Sequence, residues 1–195
     1  MDQTAAHKLV FAMLDADGDG VVSREEYMAR TRNVALAMGL KDDDRLVVTA
    51  RTLGERAWAS MDADRDGRMT FDEYAAWAGA EAFDTVCAPV LGALFDLADA
   101  DHDGALDLRE FTALRTALNN PAINAEAAFT ALDTDGDGRI RRDDYIASIR
   151  AHVTGEGSPM GTALYSGPLS DIPACVNGQR AVRVSGHLRS LCADS

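Results

Sequence analysis

A twelve-residue acidic segment occurs four times in the first 150 residues of this 195-residue chain. Each copy has Asp at positions 1, 3 and 5 and Gly at position 6, and successive copies start 47, 37 and 34 residues apart. The copies read DADGDGVVSREE, DADRDGRMTFDE, DADHDGALDLRE and DTDGDGRIRRDD, beginning at Asp15, Asp62, Asp99 and Asp133. This repeat predicts four similar structural units.

The spacing of the acids predicts that each segment wraps a hard divalent cation. Asp at positions 1, 3 and 5 directs three carboxylates to one point, position 7 supplies its backbone carbonyl, position 9 often holds a water, and an acid at position 12 closes the shell. Glycine at position 6 permits the left-handed backbone of a sharp turn. The candidate metal-binding residues are Asp15, Asp17, Asp19, Val21, Ser23, Glu26, Asp62, Asp64, Asp66, Arg68, Thr70, Glu73, Asp99, Asp101, Asp103, Ala105, Asp107, Glu110, Asp133, Asp135, Asp137, Arg139 and Asp144.

The residues around each segment predict helices on both sides. An aromatic side chain stands four residues before position 1, another follows at position 13, and further apolar residues recur at helical spacing, which is typical of core-facing helices. Position 8 is apolar in every copy and predicts a short antiparallel pairing between adjacent segments. These positions are Phe11, Trp58, Phe95 and Phe129, then Tyr27, Tyr74, Phe111 and Tyr145, and at position 8 Val22, Met69, Leu106 and Ile140.

Four helix–loop–helix copies resemble the EF-hand superfamily. The long first interval, the continuous acidic body and the segment SPMGTALYSGPLS (residues 158–170) are similar to the sarcoplasmic calcium-binding proteins and their bacterial relatives of the calerythrin type. The resemblance implies an all-α fold with four EF-hands in two pairs packed into one compact unit. The expected pairs are residues 1–80 and 81–152, followed by a mostly irregular tail, 153–195, in which 158–170 lies against the core.

The last part of the tail, residues 171–195, is predicted to be disordered from its composition. The alternative is that its basic amphipathic stretch folds back on the acidic hands or docks a partner. Cys175 and Cys192 lie there and are expected to be free thiols, with a disulfide between them as the alternative, while Cys87 is expected to be a small core residue.

The four segments are not equal as calcium sites. The first three end in glutamate, whose length lets both oxygens reach an ion, whereas the fourth ends in Asp144 and carries Arg141 at position 9. We therefore predict three to four bound Ca²⁺ ions, with segment 133–144 weakest for calcium and able to take Mg²⁺ instead. Segment 99–110, with the extra carboxylate of Asp107, is predicted to be among the strongest.

Charge and composition exclude several classes of function. The formal charge of −13 disfavours nucleic acid and membrane surfaces as partners, and the longest stretch without a charged residue, 157–170, has 14 residues, too few for a membrane span. No catalytic motif and no secretory signal are visible, so the sequence predicts a cytoplasmic, monomeric protein that is not an enzyme.

Half of the 32 acids stand at positions 1, 3, 5 and 12 of the four segments. Their crowding into four small volumes predicts that metal binding stabilises the fold. Two functions remain open. The favoured one is an intracellular calcium buffer or store, and the alternative is a sensor that exposes an apolar groove to a target protein.

Overall fold

The computed structural model describes residues 3–120 and 125–156, and these are mostly helical. The N-terminal half contains α1 (Gln3–Leu14), β1 (Val21–Ser23), α2 (Arg24–Ala37), α3 (Arg45–Met61), β2 (Arg68–Thr70) and α4 (Phe71–Trp77). The C-terminal half contains α5 (Ala80–Ala82), a π-helical turn (Phe83–Cys87), α6 (Ala88–Ala98), β3 (Ala105–Leu106), α7 (Leu108–Ala117), α8 (Ala125–Leu132), β4 (Ile140–Arg141) and α9 (Arg142–Val153).

The helix boundaries repeat from one acidic segment to the next. In every copy the entering helix ends one residue before position 1, and the exiting helix begins at position 10. The predicted all-α fold with four helix–loop–helix units is therefore confirmed. At the start of α3, Asp44 caps the helix by accepting a hydrogen bond from the N–H of Leu46 at 2.8 Å.

Adjacent acidic segments are joined by short antiparallel strands, as predicted. β1 pairs with β2 so that Val22 lies opposite Met69, and β3 pairs with β4 so that Leu106 lies opposite Ile140. All four of these side chains are completely buried. Each strand pair therefore holds two segments side by side and ties them to the core.

The aromatic residues that flank the segments pack against one another inside the protein. Phe95 lies 5.6 Å from Tyr145 between ring centroids, and Tyr27 lies 5.7 Å from Trp58. Buried residues from both halves form one cluster, because α3 packs on α6, α2 on α7 and α1 on α9. The two pairs thus share a core, while their division at residues 80 and 81 remains a prediction.

Cys87 corrects one expectation, since it is only partly buried, at the end of the π-helical turn, rather than in the core cluster. Desolvation nevertheless raises the pKa of its thiol to about 11. The predictions for residues 157–195, including Cys175 and Cys192, lie outside the described residues.

Among the described residues, no single helix is long and apolar enough to cross a bilayer. The pair Phe71–Trp77 and Ala80–Ala98 meets the requirements of length and composition only when taken together, across a bend of 86°.

Candidate metal centres

Three carboxylates converge in each acidic segment, and the segments are called loops 1 to 4 in chain order (residues 15–26, 62–73, 99–110 and 133–144). Within each group, one oxygen from every carboxylate lies within 4.8 Å of the others. The converging residues are Asp15, Asp17 and Asp19 in loop 1, Asp62, Asp64 and Asp66 in loop 2, Asp99, Asp101 and Glu110 in loop 3, and Asp133, Asp135 and Asp137 in loop 4.

A sharp turn at position 6 produces this convergence. The four glycines there have φ between +79° and +91°, and each N–H donates to the carboxylate at position 1, as from Gly20 to Asp15 at 3.0 Å. Position 4 is also left-handed, with φ of 62° at Arg65 and 59° at His102. A side chain in this conformation costs about 1–2 kcal/mol, so loops 2 and 3 carry a strain that the position-4 glycines of loops 1 and 4 avoid.

The glutamate at position 12 belongs to the loop and to the exiting helix at once. Glu26 Oε2 accepts from the N–H of Ser23 at 2.8 Å, the N–H of Glu26 donates back to the Ser23 hydroxyl, and Glu26 Oε1 accepts from the N–H of Ala16 at 3.0 Å. The same reciprocal capping arrangement is made by Thr70 with Glu73 and by Asp107 with Glu110. Position 9 therefore caps the helix, and position 12 is held over the loop.

Loop 4 has no such cap. Arg141 occupies the capping position and makes no side-chain capping bond, because a guanidinium has only donors. Instead, Nη2 of Arg141 lies 3.1 Å from Asp137 Oδ2 and 3.8 Å from Asp135 Oδ2. Asp144, at position 12, is exposed and lies outside the converging group. Loop 4 thus holds a positive charge where the other loops hold a neutral or acidic cap.

Trp58 takes part in loop 2 in a way that sequence reasoning missed. Its indole Nε1 donates to Asp62 Oδ2 at 3.1 Å, an interaction that the phenylalanines at this position in the other hands have no donor to make. Asp62 is 6% exposed, and its other oxygen, Oδ1, is buried with no hydrogen-bond partner within the described part of the chain. A buried, unpaired carboxylate oxygen in a group of acids fits a hard cation such as Ca²⁺.

Two arginines at position 7 also reach the sites. Arg68 of loop 2 has Nη2 3.7 Å from Asp19 Oδ2 of loop 1, and Arg139 of loop 4 pairs with Asp103 Oδ2 of loop 3. The sequence had suggested only the backbone carbonyls of these arginines as ligands. Asp103 lies outside the converging group of loop 3, which contains Glu110 instead, and its Oδ2 faces Arg139. Coordination by Asp103 stays a prediction.

Two acids of these loops have shifted pKa values. Burial raises the pKa of Asp15, and the N–H groups of Gly20 and Gly18 oppose that shift. Hydrogen bonds from the backbone and the hydroxyl of Thr70 lower the pKa of Glu73. The hydrogen bonds that position these acids therefore also favour the ionised form that binds a cation.

The predicted ligands at position 7 lie where the short strands begin. Val21, Arg68 and Ala105 are the first residues of β1, β2 and β3, and Arg139 directly precedes β4. Coordination by their backbone carbonyls stays a prediction.

Comparison with known proteins agrees with this geometry. Residues 4–79 and 89–150 match the EF-hand domain pair. A probable calcium-binding protein of rice (Oryza sativa subsp. japonica), CML16, is 33% identical over 138 residues, covering 70% of this chain and 72% of that protein. Calerythrin of Saccharopolyspora erythraea is 25% identical over 151 residues, covering 72% of this chain and 85% of calerythrin.

A solved structure has the same fold. The calcium-binding protein of Streptomyces coelicolor superposes with a TM-score of 0.67 at 24% identity, over 78% of this chain and 98% of that one. The chain belongs to the family of EF-hand domain pairs, and its resemblance to the calerythrin type is confirmed. It is a calcium-binding protein, and its four acidic groups match the three to four ions predicted.

Proposed function

We propose that this protein is an intracellular calcium buffer or store whose folding is coupled to metal binding. The ligands are the carboxylates at positions 1, 3, 5 and 12 with the carbonyl at position 7 and, through position 9, a water. Loop 4 is the weakest calcium site and takes Mg²⁺ more readily, because Asp144 is one methylene shorter than glutamate and Arg141 adds positive charge.

One observation carries the buffer assignment, namely that the apolar faces of the two EF-hand pairs cover each other. A sensor needs an apolar groove that calcium exposes to a target, typically one rich in methionine. In this structure Met61 and Met69 are buried, and the exposed large apolar side chains among residues 3–120 and 125–156 are Leu36, Val48 and Leu108, on three different helices. A calcium-induced opening that exposed these faces would have to separate the helices that pack between the pairs, α3 from α6 and α2 from α7.

The test is a calcium titration of the full chain at physiological magnesium, followed by a dye that brightens on exposed apolar surface. We expect the dye to dim or stay constant as calcium binds, because metal closes the fold. The matched control carries Glu26→Gln, Glu73→Gln and Glu110→Gln, and should keep the signal of the calcium-free protein. Brightening of the original protein as the sites fill would overturn the buffer assignment.

The second candidate is a calcium sensor. The related Streptomyces coelicolor protein is described in terms of prokaryotic calcium-mediated regulation. In this chain, a groove of about 610 Å³ between α2 and α3 has Met28 and Val47 among its walls and Arg24, Arg51 and Glu55 around it. Brightening of the dye would favour this groove as the face offered to a partner helix.

The proposal also covers catalysis, location, oligomeric state and partners. A buffer needs no catalytic residues, so we propose that the protein is not an enzyme and acts as a cytoplasmic monomer. Its negative charge disfavours nucleic acid and membrane surfaces as partners.

A further inference from the structure

Arginine side chains cross from one loop to the other in both EF-hand pairs, and always in the same direction. Arg68 reaches from loop 2 to Asp19 of loop 1, and Arg139 reaches from loop 4 to Asp103 of loop 3. Loops 1 and 3 have Val21 and Ala105 at position 7, so no charge returns from that position. Each pair therefore contains one loop that supplies an arginine side chain and one loop whose position-5 carboxylate faces that arginine.

The strand register explains this reach. In the first pair Ser23 lies opposite Arg68, and in the second pair Leu106 lies opposite Ile140. A residue at position 7 is therefore held beside the neighbouring loop by the backbone ladder itself. The contact needs only a side chain long enough to reach position 5, which arginine provides.

Both oxygens of the receiving carboxylate are engaged. Asp19 Oδ1 accepts from the N–H of Val21 at 3.0 Å, and Asp103 Oδ1 accepts from the N–H of Ala105 at 2.9 Å. The second oxygen, Oδ2, faces the arginine in each case. A metal ion that uses position 5 must therefore replace or share one of these partners.

Loops 1 and 3 differ in where the position-5 carboxylate lies. The converging group of loop 3 is the one of the four that lacks the position-5 aspartate, Asp103, and contains the position-12 glutamate, Glu110. In loop 1, Asp19 converges with its neighbours although Arg68 lies 3.7 Å away. The arginine therefore faces the position-5 carboxylate both inside and outside the converging group.

We propose that Arg139 and Arg68 set the calcium affinity of the neighbouring loops, 3 and 1, by holding their position-5 carboxylates. The inference rests on calcium binding by these loops and adds two positioning residues that act across the pair. A positive charge about 6 Å from a divalent ion in a water-like dielectric weakens binding about tenfold before salt screening. Both arginines are about half exposed, so the effect is of this order and falls with ionic strength.

The test measures loops 3 and 4 separately in the full chain carrying Arg139→Met, which removes the charge but keeps a long side chain. The amide resonances of Gly104 and Gly138 serve as reporters, because each N–H donates to the position-1 carboxylate of its own loop. At low salt, we expect the calcium concentration at which the Gly104 resonance is half shifted to fall about tenfold. This midpoint should change more than the midpoint of Gly138. The shift should shrink when potassium chloride is raised from 0.05 to 0.5 M.

The matched control is Arg141→Met, which removes a charge that lies beside the carboxylates of loop 4 itself. It should shift Gly138 more than Gly104, the reverse of Arg139→Met. Arg139→Lys, which keeps the charge, should remain near the original midpoint. In the first pair, Arg68→Met should lower the Gly20 midpoint as well, because Arg68 faces Asp19 of loop 1 in the same way.

The outcomes separate this inference from calcium binding itself. If Gly104 does not respond to calcium in the original protein, calcium binding by loop 3 fails, and the inference fails with it. If Gly104 responds and Arg139→Met leaves its midpoint unchanged, raises it, or shifts Gly138 more, the inference alone is wrong. A shift that is independent of salt would also contradict the electrostatic role.

Discussion

Building a helix cap into loop 4, the site predicted to be weakest for calcium, should make it bind calcium like the other three. The changes are Arg141→Ser and Asp144→Glu, made singly and together. In loop 1 the same two residue types form a reciprocal cap, with Glu26 Oε2 accepting from the N–H of Ser23 at 2.8 Å. The double variant therefore supplies to loop 4 an arrangement that this chain already uses.

The expected magnitude follows from the contacts of Arg141. Its Nη2 lies 3.1 Å from Asp137 Oδ2, so its charge is next to a predicted ligand. Removing a unit charge about 6 Å from a divalent ion is worth about 1.4 kcal/mol in a water-like dielectric, or about tenfold in affinity. The serine cap adds about 1 kcal/mol to the stability of α9, and the longer glutamate lets a second oxygen reach the ion. We expect the double variant to bind calcium at loop 4 at least about tenfold more tightly.

Isothermal titration with calcium gives the total number of sites, and the amide resonance of Gly138 reports loop 4 alone. The control is Arg142→Ser, which removes an equal charge from the neighbouring residue, since Arg142 pairs with Asp96 outside the loops. That variant should leave the Gly138 midpoint within about twofold, because its charge is paired elsewhere and screened. If the double variant leaves loop 4 unchanged or weaker, then neither the missing cap nor the arginine limits the site.

Three further predictions concern stability. Chelating calcium should lower Tm by about 15–30 °C, because three sites at a free calcium concentration of 100 times Kd stabilise the folded protein by about 8 kcal/mol in total. A shift below about 5 °C in a circular dichroism melt would refute metal-coupled folding. Phe95→Ala removes a completely buried ring and should cost about 3–5 kcal/mol in denaturant unfolding at saturating calcium, whereas Leu36→Ala, at a residue 69% exposed, should cost under about 0.5 kcal/mol. Burial lowers the pKa of His152 in the folded protein. As pH falls, the unfolded chain therefore protonates this histidine at a higher pH than the folded protein does. The free energy of unfolding should consequently decline as pH drops below about 6.5. His152→Gln should flatten that decline between pH 7.5 and 5.5 while His102→Gln, at an exposed loop position, should not, and equal slopes in both variants would count against the assignment.

Much of the fold and of the loop architecture could be predicted because the signals are local. The turn glycines, the position-1 aspartates that accept their N–H groups, and the capping pairs such as Ser23 with Glu26 all lie within twelve residues of one another. The aromatic spacing likewise predicted which faces are buried, and Phe95 and Phe111 are completely buried. Loop 4 was distinguished by its residues alone, since Asp144 is shorter than glutamate and Arg141 adds a positive charge.

Other features depend on which segments meet in space. Nothing local indicates that Oδ2 of Asp103 faces Arg139 of the neighbouring loop, or that Trp58 has both a core role and a hydrogen bond to Asp62. The partial exposure of Cys87 follows from the π-helical turn that leads into α6, where burial was expected from residue type alone.

The sequence by itself determined four helix–loop–helix units and the chemical class of ion they bind, because the ligand spacing, turn and caps are properties of twelve consecutive residues. Only the tertiary structure decided which side chains of one loop reach the carboxylates of its neighbour. Strand pairing sets the register between loops, and that register brings Arg68 and Arg139 to carboxylates in loops that precede them in the chain. Electrostatic energy depends on distance in space rather than on separation along the chain, so these contacts appear only when the pairs are assembled.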